Sequence, residues 1–165
     1  MVCMRSIITG NAPKKEKVVY IVAARREAMQ RIESVSELRR INPGVAEAEL
    51  VTKSGSKRHF TRHVNPYLGE PGGFVEQTAI VGESAFVSQE STVEEGAVVT
   101  GNARILDSRV YGSALVEGNA IISDSEALDG VRIGGNSVIK RAFVSGDLSY
   151  YDAKIEDRRI NDVAL

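Results

Sequence analysis

Residues 97–122 read AVVTGNARILDSRVYGSALVEGNAII, and this stretch decides how the rest of the chain is interpreted. It belongs to a longer segment, from about Gly73 to Val144, in which an aliphatic residue returns at every fifth or sixth position. The series is Val75, Val81, Val87, Val93, Val99, Ile105, Val110, Val116, Ile122, Ala127, Ile133, Ile139 and Val144. The shortened step recurs with a period of seventeen residues, and a fixed period of this kind indicates a repeat architecture.

Turn-forming residues follow the same period. The pairs Gly101-Asn102, Gly118-Asn119 and Gly135-Asn136 are each seventeen residues apart. Glycine and asparagine tolerate left-handed turn conformations, so these pairs are expected at stacked corners, with their asparagines in a ladder. Three inward aliphatic side chains bury too little surface to offset the ordering of seventeen residues, so one coil is not stable alone and must stack on its neighbours.

The repeat resembles a known family. The runs Ala79–Ser84, Gly101–Ile105 and Val131–Asn136 are similar to the hexapeptide repeats of left-handed parallel β-helix proteins. The entry Pro71–Val75 resembles uncharacterised bacterial and phage members of that superfamily. The resemblance covers somewhat under half of the chain and implies a triangular prism, left-handed coiling and assembly as a trimer. Left-handedness is implied by the resemblance alone, since the general rule for crossover connections favours the right hand.

The rest of the chain divides around this repeat. We predict a mainly β protein with a left-handed parallel β-helix of about four coils over residues 74–147 and a linker at 65–73. Residues 148–165 are expected to form a cap or an arm. Residues 1–64 are predicted as a small α/β module with a flexible lead, an amphipathic helix from Arg25 to Ile41 and a β-hairpin. The helix is inferred from Met29, Ile32, Val35, Leu38 and Ile41, and a Gly turn at 53–56 predicts the hairpin.

Charge divides near the same boundary. Residues 1–63 contain thirteen Lys and Arg against six acidic residues, whereas residues 64–165 contain eight against sixteen. A basic module can bind an anionic partner, including a nucleotide or nucleic acid, or it can dock on its own acidic solenoid, and we favour the second interpretation. The candidate anion- or partner-binding residues are Arg25, Arg26, Arg31, Arg39 and Arg40.

Two histidines, His59 and His63, are the only weak catalytic candidates. On a strand they lie roughly 13 Å apart at about 3.3 Å per residue, too far to share a metal ion, and we predict no metal site. Hexapeptide-repeat acyltransferases use a histidine as general base, but residues 74–144 contain no histidine, no cysteine and no inserted loop. An acyl-CoA-dependent transferase therefore remains an alternative only if His59 or His63 reaches the coils of a neighbouring copy.

Outward-facing positions of the repeat predict an interface. One residue before each inward aliphatic, two walls carry apolar side chains that stacking would place in columns. The predicted oligomer-interface residues are Ile80, Val98 and Leu115 on one wall, and Phe86, Ile121 and Val138 on the next. The third wall, with Thr92, Arg109 and Glu126, is mostly polar and is expected to face water. Contiguous exposed apolar surface usually marks an interaction site.

These observations lead to one functional expectation with two alternatives. We expect a non-catalytic, homotrimeric scaffold or binding protein, a phage or bacterial accessory protein that presents its N-terminal modules to an unidentified protein partner. The alternatives are the transferase and a nucleotide- or nucleic-acid-binding protein. No cofactor is expected. No apolar run has the length of a membrane span and one cysteine, Cys3, permits no intramolecular disulfide, so a cytoplasmic location is the default expectation.

Overall fold

A computed structural model describes residues 29–66 and 69–161 of the chain, which fold as a mainly β protein built around a parallel β-solenoid. One 3₁₀ helix spans Val35–Arg40. In chain order the strands are β1 (Met29–Ile32), β2 (Glu47–Val51), β3 (Lys57–Val64), β4 (Pro71–Glu76), β5 (Ile80–Val81), β6 (Phe86–Val87), β7 (Thr92–Val93), β8 (Val98–Val99), β9 (Arg104–Leu106), β10 (Arg109–Val110), β11 (Leu115–Val116), β12 (Ile121–Ser123), β13 (Glu126–Leu128), β14 (Arg132–Gly134), β15 (Val138–Lys140), β16 (Phe143–Ser145), β17 (Ser149–Tyr151), β18 (Lys154–Glu156) and β19 (Arg159–Asn161).

Three sheets form the walls of the solenoid. Sheet A has nine strands in the order β1-β2-β3-β4-β7-β10-β13-β16-β19, sheet B has the order β17-β14-β11-β8-β5, and sheet C has the order β18-β15-β12-β9-β6. From β4 onward all neighbouring strands within a sheet are parallel, and consecutive strands along the chain lie in consecutive walls. The predicted β-solenoid is therefore confirmed.

The periodic aliphatic residues form the core. Every member of the series from Val87 to Val144 has no exposed surface. They stack in register, as Val99, Val116 and Ile133 do in sheet B. The strands are only two or three residues long because each wall needs one inward side chain between two corners. Each coil therefore obtains most of its apolar contacts from the coils above and below it.

Two side-chain ladders connect the coils at their corners. Asn102 Nδ2 donates to Asn119 Oδ1 at 3.3 Å, Asn119 Nδ2 donates to Asn136 Oδ1 at 3.1 Å, and Asn136 Nδ2 donates to Asp152 Oδ1 at 3.0 Å. The predicted asparagine ladder is thus confirmed, and it ends on an aspartate. A second ladder consists of Ser91, Ser108 and Ser125, whose hydroxyl oxygens each accept the backbone N–H of the residue one coil further on, at 3.0–3.2 Å.

The C-terminal region differs from the predicted cap or arm. Strands β17, β18 and β19 add another strand to each wall, with Tyr150, Ile155 and Ile160 in register with Ile133, Ile139 and Val144. The solenoid therefore continues beyond residue 147 to Asn161. The sequence pattern was misleading because an aromatic residue, Tyr150, replaces the aliphatic one, and Asp152, with φ of 52°, takes the place of glycine in the corner column of Gly101, Gly118 and Gly135.

The predicted helix over residues 25–41 is wrong in its described part. Residues 29–32 form β1, which pairs in parallel with β2, and a 3₁₀ helix follows. The physical reason lies in the spacing, because apolar residues exactly three apart align on a 3₁₀ helix, whereas in an α-helix they drift around the axis. Val35, Leu38 and Ile41 accordingly pack on the cluster of Ile32, Ala48, Leu50, Phe60 and Phe74.

The N-terminal elements are continuous with the solenoid and not joined to it by a linker. The predicted hairpin exists as β2 and β3, which are antiparallel, and β3 also pairs antiparallel with β4, which begins inside the segment predicted as linker and continues into the first coil. Sheet A thus runs without a break from β1 into the solenoid. Its outer face is covered at this end, because Phe74 and Thr92 are buried, so the expectation that this wall faces water throughout is wrong.

Prediction 1 concerns the column of corner glycines. Gly118 has φ of 72°, and a Cβ atom built on it would lie 2.9 Å from the Gly135 carbonyl oxygen, whereas a Cβ on Gly96, with φ of 81°, would meet nothing closer than 3.9 Å. Gly96→Ala should therefore lower the free energy of unfolding by about 1–2 kcal/mol through left-handed strain alone. Gly118→Ala should cost about 1–3 kcal/mol more, since crowding adds to the strain. Equal losses in chemical denaturation would contradict the close stacking of these corners.

Candidate assembly surfaces and a buried ion-pair network

The outer face of sheet B carries an apolar column. Ile80, Val98 and Leu115 lie directly beside one another in the strand register, and Arg132 and Ser149 continue the line. Ile80 is 60% exposed, and the other two apolar side chains are half-buried. The structure thus places the three residues predicted from the sequence side by side at the N-terminal half of this wall.

The outer face of sheet C carries a second column, which is interrupted once. Phe86, Arg104, Ile121 and Val138 are in register, and the three apolar residues are half-buried. The Arg104 guanidinium carbon lies 5.6 Å from the centre of the Phe86 ring, a distance that permits a cation–π contact. The cation therefore covers part of the aromatic surface, so this column is less apolar than the column on sheet B.

On sheet A, polar side chains form a buried network instead. The Glu94 side chain has no exposed surface and accepts hydrogen bonds from Arg109 Nε at 2.7 Å and Arg109 Nη2 at 3.0 Å. It also accepts from Arg58 Nη2 at 3.0 Å and from the Thr92 hydroxyl at 2.7 Å. Because a buried carboxylate is costly unless it is paired and hydrogen-bonded, both arginines are required to keep this charge in place.

Arg58 extends the network to a second carboxylate. Its Nε donates to Glu76 Oε1 at 2.8 Å, and its Nη1 lies 3.4 Å from Glu95 Oε1. Burial opposes ionisation of Glu76, but hydrogen bonds from Arg58 and from the Glu95 backbone N–H outweigh it, so the pKa of Glu76 falls below its ordinary value of 4.5. Since Arg58 lies on β3 and Glu94 follows β7, the network joins the N-terminal hairpin to the solenoid.

The network shows that the N-terminal region does dock on acidic residues of the solenoid, through Arg58. Of the predicted arginine set, the three members that the structure describes, Arg31, Arg39 and Arg40, make no ion pair with these carboxylates. Glu94 is not among the candidate site residues that the sequence suggested. The position of Glu94 directly after the inward-facing Val93 gives no sign that β3 and Arg58 lie over this carboxylate. The role of Arg58 and Glu94 depends on a contact between residues thirty-six positions apart.

The predicted arginine cluster does not form one surface in the described region. Arg31 lies on β1 beside Glu49, with its Nε 3.6 Å from Glu49 Oε1. Its neighbour Ile32 packs against Leu38 of the 3₁₀ helix, and successive side chains of a strand point to opposite faces. Arg31 therefore faces away from the helix that carries Arg39 and Arg40. Arg25 and Arg26 lie outside the described residues.

The two histidines lie on β3, as expected for a hairpin strand. His59 is half-exposed, and its Nδ1 lies 3.7 Å from Glu49 Oε2. The His63 ring contacts the backbone instead, because its Nε2 lies 2.9 Å from the carbonyl oxygen of Ala85, the residue just before β6. As a donor to that carbonyl, His63 would hold the backbone at the end of sheet C.

Within residues 29–66 and 69–161 no group of three or more His, Cys, Asp and Glu side chains is arranged to hold a metal ion. A helix with the length and apolarity needed to cross a membrane is likewise not found in that part of the chain. In comparisons with known proteins, no protein-family model matches the sequence and no curated protein matches it.

Prediction 2 tests the buried carboxylate. Glu94→Gln should lower the free energy of unfolding by about 3–5 kcal/mol, because it removes the anion that pairs with two largely buried guanidinium groups. The measurement is chemical denaturation at neutral pH. Glu90→Gln, at an exposed position of the preceding corner, is the control and should change stability by less than about 0.5 kcal/mol. A similar small effect for Glu94→Gln would show that the network contributes nothing to the fold.

Prediction 3 concerns the pH dependence of stability. A carboxylate whose pKa is depressed in the folded state stabilises the fold above its unfolded pKa, and this contribution is lost as the pH falls through the folded pKa. The stability of the wild-type chain should therefore decrease below about pH 4.5, the ordinary value for Glu76. Glu76→Gln should be less stable at pH 7 and show a shallower decrease in this acid range. Parallel stability curves for the two proteins would contradict the pairing of Glu76 with Arg58.

Proposed function

We propose that this chain is a non-catalytic scaffold or binding protein that assembles into a homotrimer through the outer faces of sheets B and C. One observation carries the proposal, the column of Ile80, Val98 and Leu115, which leaves apolar side chains in register on a solvent-facing wall. An isolated exposed apolar residue needs no explanation, but a contiguous column marks a surface that another molecule covers.

The distribution of polar residues supports this choice of walls. On sheet A the outward residues near the N-terminal end are covered by the chain itself, and Arg109 is engaged by Glu94. On sheets B and C the outward apolar residues stay partly exposed, and Arg104 covers only part of the Phe86 ring. Burying these side chains against another copy would remove apolar surface from water, which is favourable, and would leave the coils unchanged.

The trimeric state, the left-handed coil and membership of the hexapeptide-repeat superfamily are part of this proposal and derive from the resemblance of the repeats. The role as a phage or bacterial accessory protein has the same source. In such an assembly the N-terminal region of each copy would be presented to a protein partner from a rigid base, because the Arg58–Glu94 network fixes β3 on the solenoid.

Prediction 4 tests the sheet B surface. Val98→Glu combined with Leu115→Glu should convert the trimer to smaller species, because assembly would bury two carboxylates on each copy without partners. Native mass spectrometry and sedimentation velocity measure the mass. Ser54→Glu with Ser56→Glu adds the same charge at exposed positions of the β2–β3 turn and should leave the mass unchanged. If the Val98 and Leu115 variant keeps the wild-type mass, the assignment of this wall is wrong.

A further inference from the structure

A groove of about 990 Å³ runs along the outer face of sheet A, parallel to the stack of coils. One side of the groove is a column of charged residues at the corner that precedes this wall. Its members lie one coil apart, and from the second onward each donates its backbone N–H to the coil before it at 3.0–3.1 Å. The corner column consists of Asp107, Asp124, Arg141 and Asp157.

The other side of the groove lies on the wall itself. Glu126, Phe143 and Arg159 are direct neighbours in the strand register of β13, β16 and β19, and they form the wall column. The floor between the two columns contains Ser125 and Ala142, which are small and buried. At about 4.8 Å between neighbouring strands, the groove extends roughly 14 Å from the coil of Asp107 to that of Arg159.

The charges of the groove are separated along the stack. The end nearer to the N-terminal elements carries three carboxylates and one guanidinium, a net charge of −2, from Asp107, Asp124, Glu126 and Arg39. Arg39 belongs to this end because Leu38 of its helix packs in one cluster with Phe74 of the first coil. The other end carries three guanidinium groups and one carboxylate, a net charge of +2, from Arg141, Arg158, Arg159 and Asp157.

Several of these charges lack an opposite charge within the chain. Arg141 is paired with Asp157 and Glu156, but Asp107, Glu126 and Arg159 form no ion pair with any residue in 29–66 and 69–161. The Asp107 carboxylate accepts a hydrogen bond from the Ser88 hydroxyl at 3.3 Å, and the Arg159 guanidinium carbon lies 4.5 Å from the centre of the Phe143 ring. Asp107 and Arg159 are both exposed, so a second molecule can reach them.

This distribution of charge selects the kind of partner. The two ends cancel, so the groove as a whole attracts neither a polyanion nor a polycation. Interfaces match positive to negative potential, and a surface that is acidic at one end and basic at the other is complementary to itself after a half turn.

We infer that this groove binds the same groove of a second copy of the chain, across a twofold axis perpendicular to the wall of sheet A. Such an axis reverses the direction along the stack and also exchanges the two sides of the groove. With the axis midway between the coils of Glu126 and Phe143, Asp107 of each copy faces Arg159 of the other, and Glu126 faces Arg141. The contact uses one surface on both copies and therefore closes at two.

The aromatic residue of the groove suits this arrangement. The same rotation places Phe143 of each copy opposite Asp124 of the other, beside the low floor at Ser125. The two half-buried rings then fill the middle of the groove, with charged pairs at both ends, as in interfaces with an apolar core and a polar rim. Two copies aligned in the same direction would instead place Asp124 opposite Glu126, and like charges so placed disfavour association.

The test reverses one charge pair of the contact. Arg159→Glu sets carboxylate against carboxylate twice in each dimer, and Asp107→Arg sets guanidinium against guanidinium twice. Arginine suits this corner, because Arg141 occupies it two coils further on with the same φ of 47°. Each variant alone should lower the association constant by at least about tenfold. An equimolar mixture of the two variants should regain the wild-type association, since every mixed pair contains two contacts between opposite charges.

Sedimentation velocity and native mass spectrometry over a range of concentrations measure this association. Lys53→Glu makes the same change in net charge as Arg159→Glu, at an exposed position of the β2–β3 turn, and should leave the association unchanged. Wild-type association in either groove variant, or a mixture that associates no better than its components, would overturn the inference.

A second measurement uses the wild-type chain alone and applies even if a variant does not fold. Raising the ionic strength from about 0.1 M to about 1 M shortens the Debye length from about 10 Å to about 3 Å. The sheet A contact should weaken over this range, because its paired charges are exposed. A wild-type assembly whose mass does not respond to salt would contradict the contact.

The contact uses sheet A, which the proposed trimer leaves free, so the two are tested separately. If both form, sheet A links trimers and the wild-type mass exceeds three copies, Arg159→Glu leaves trimers, and Val98→Glu with Leu115→Glu leaves dimers. A salt-sensitive wild-type dimer that ignores Val98→Glu with Leu115→Glu would keep this contact and reject the trimer. A wild-type trimer whose mass is unchanged by Arg159→Glu would reject this contact alone.

Discussion

The structure depends on one constraint, which is that a coil of this solenoid cannot be stable alone. Each coil directs three side chains inward, and its strands are two or three residues long, so every backbone bond between strands goes to another coil. The asparagine ladder, the serine ladder and the stacked corner glycines follow from this, because each places a polar group or a close backbone contact where two coils meet. Stability in such a stack is the sum of neighbour contacts, and the first and last coils have the fewest.

At its N-terminal end the chain solves this problem with its own preceding residues, which cover the first coil through hydrogen bonds and ion pairs. Sheet A continues into β3, and the Asn65 side chain makes the hydrogen bonds to β6 that a neighbouring strand would make. The ion pairs of Glu94 hold the hairpin on the second coil. A buried charge network favours one arrangement of the hairpin, because it stabilises the fold only when all of its charged partners are in place. A purely apolar contact would tolerate other arrangements. The N-terminal elements are consequently part of the solenoid and not an appended module.

The sequence predicted well what depends on local period. The inward series, the corner glycines, the asparagine ladder and the two outward apolar columns could be read directly, because residues seventeen positions apart are neighbours in any stack of this period. It predicted poorly where the pattern weakens. The coil that contains Tyr150, Ile155 and Ile160 was missed because its core includes an aromatic residue and because Asp152 replaces the Gly-Asn pair at one corner. The predicted helix was wrong over its described residues because a spacing of three suits a 3₁₀ helix.

The sequence by itself determined that the chain is a solenoid, which residues face its core and which outward residues form apolar columns. Only the tertiary structure decided that β3 continues sheet A, that Arg58 meets Glu94, and that the Asn65 side chain pairs with the backbone of β6. The physical reason is the range of the interactions. In a repeat, each contact between coils recurs many times between residues at one fixed separation in the sequence. The contacts at an end occur once, between residues whose separation in the sequence follows no period.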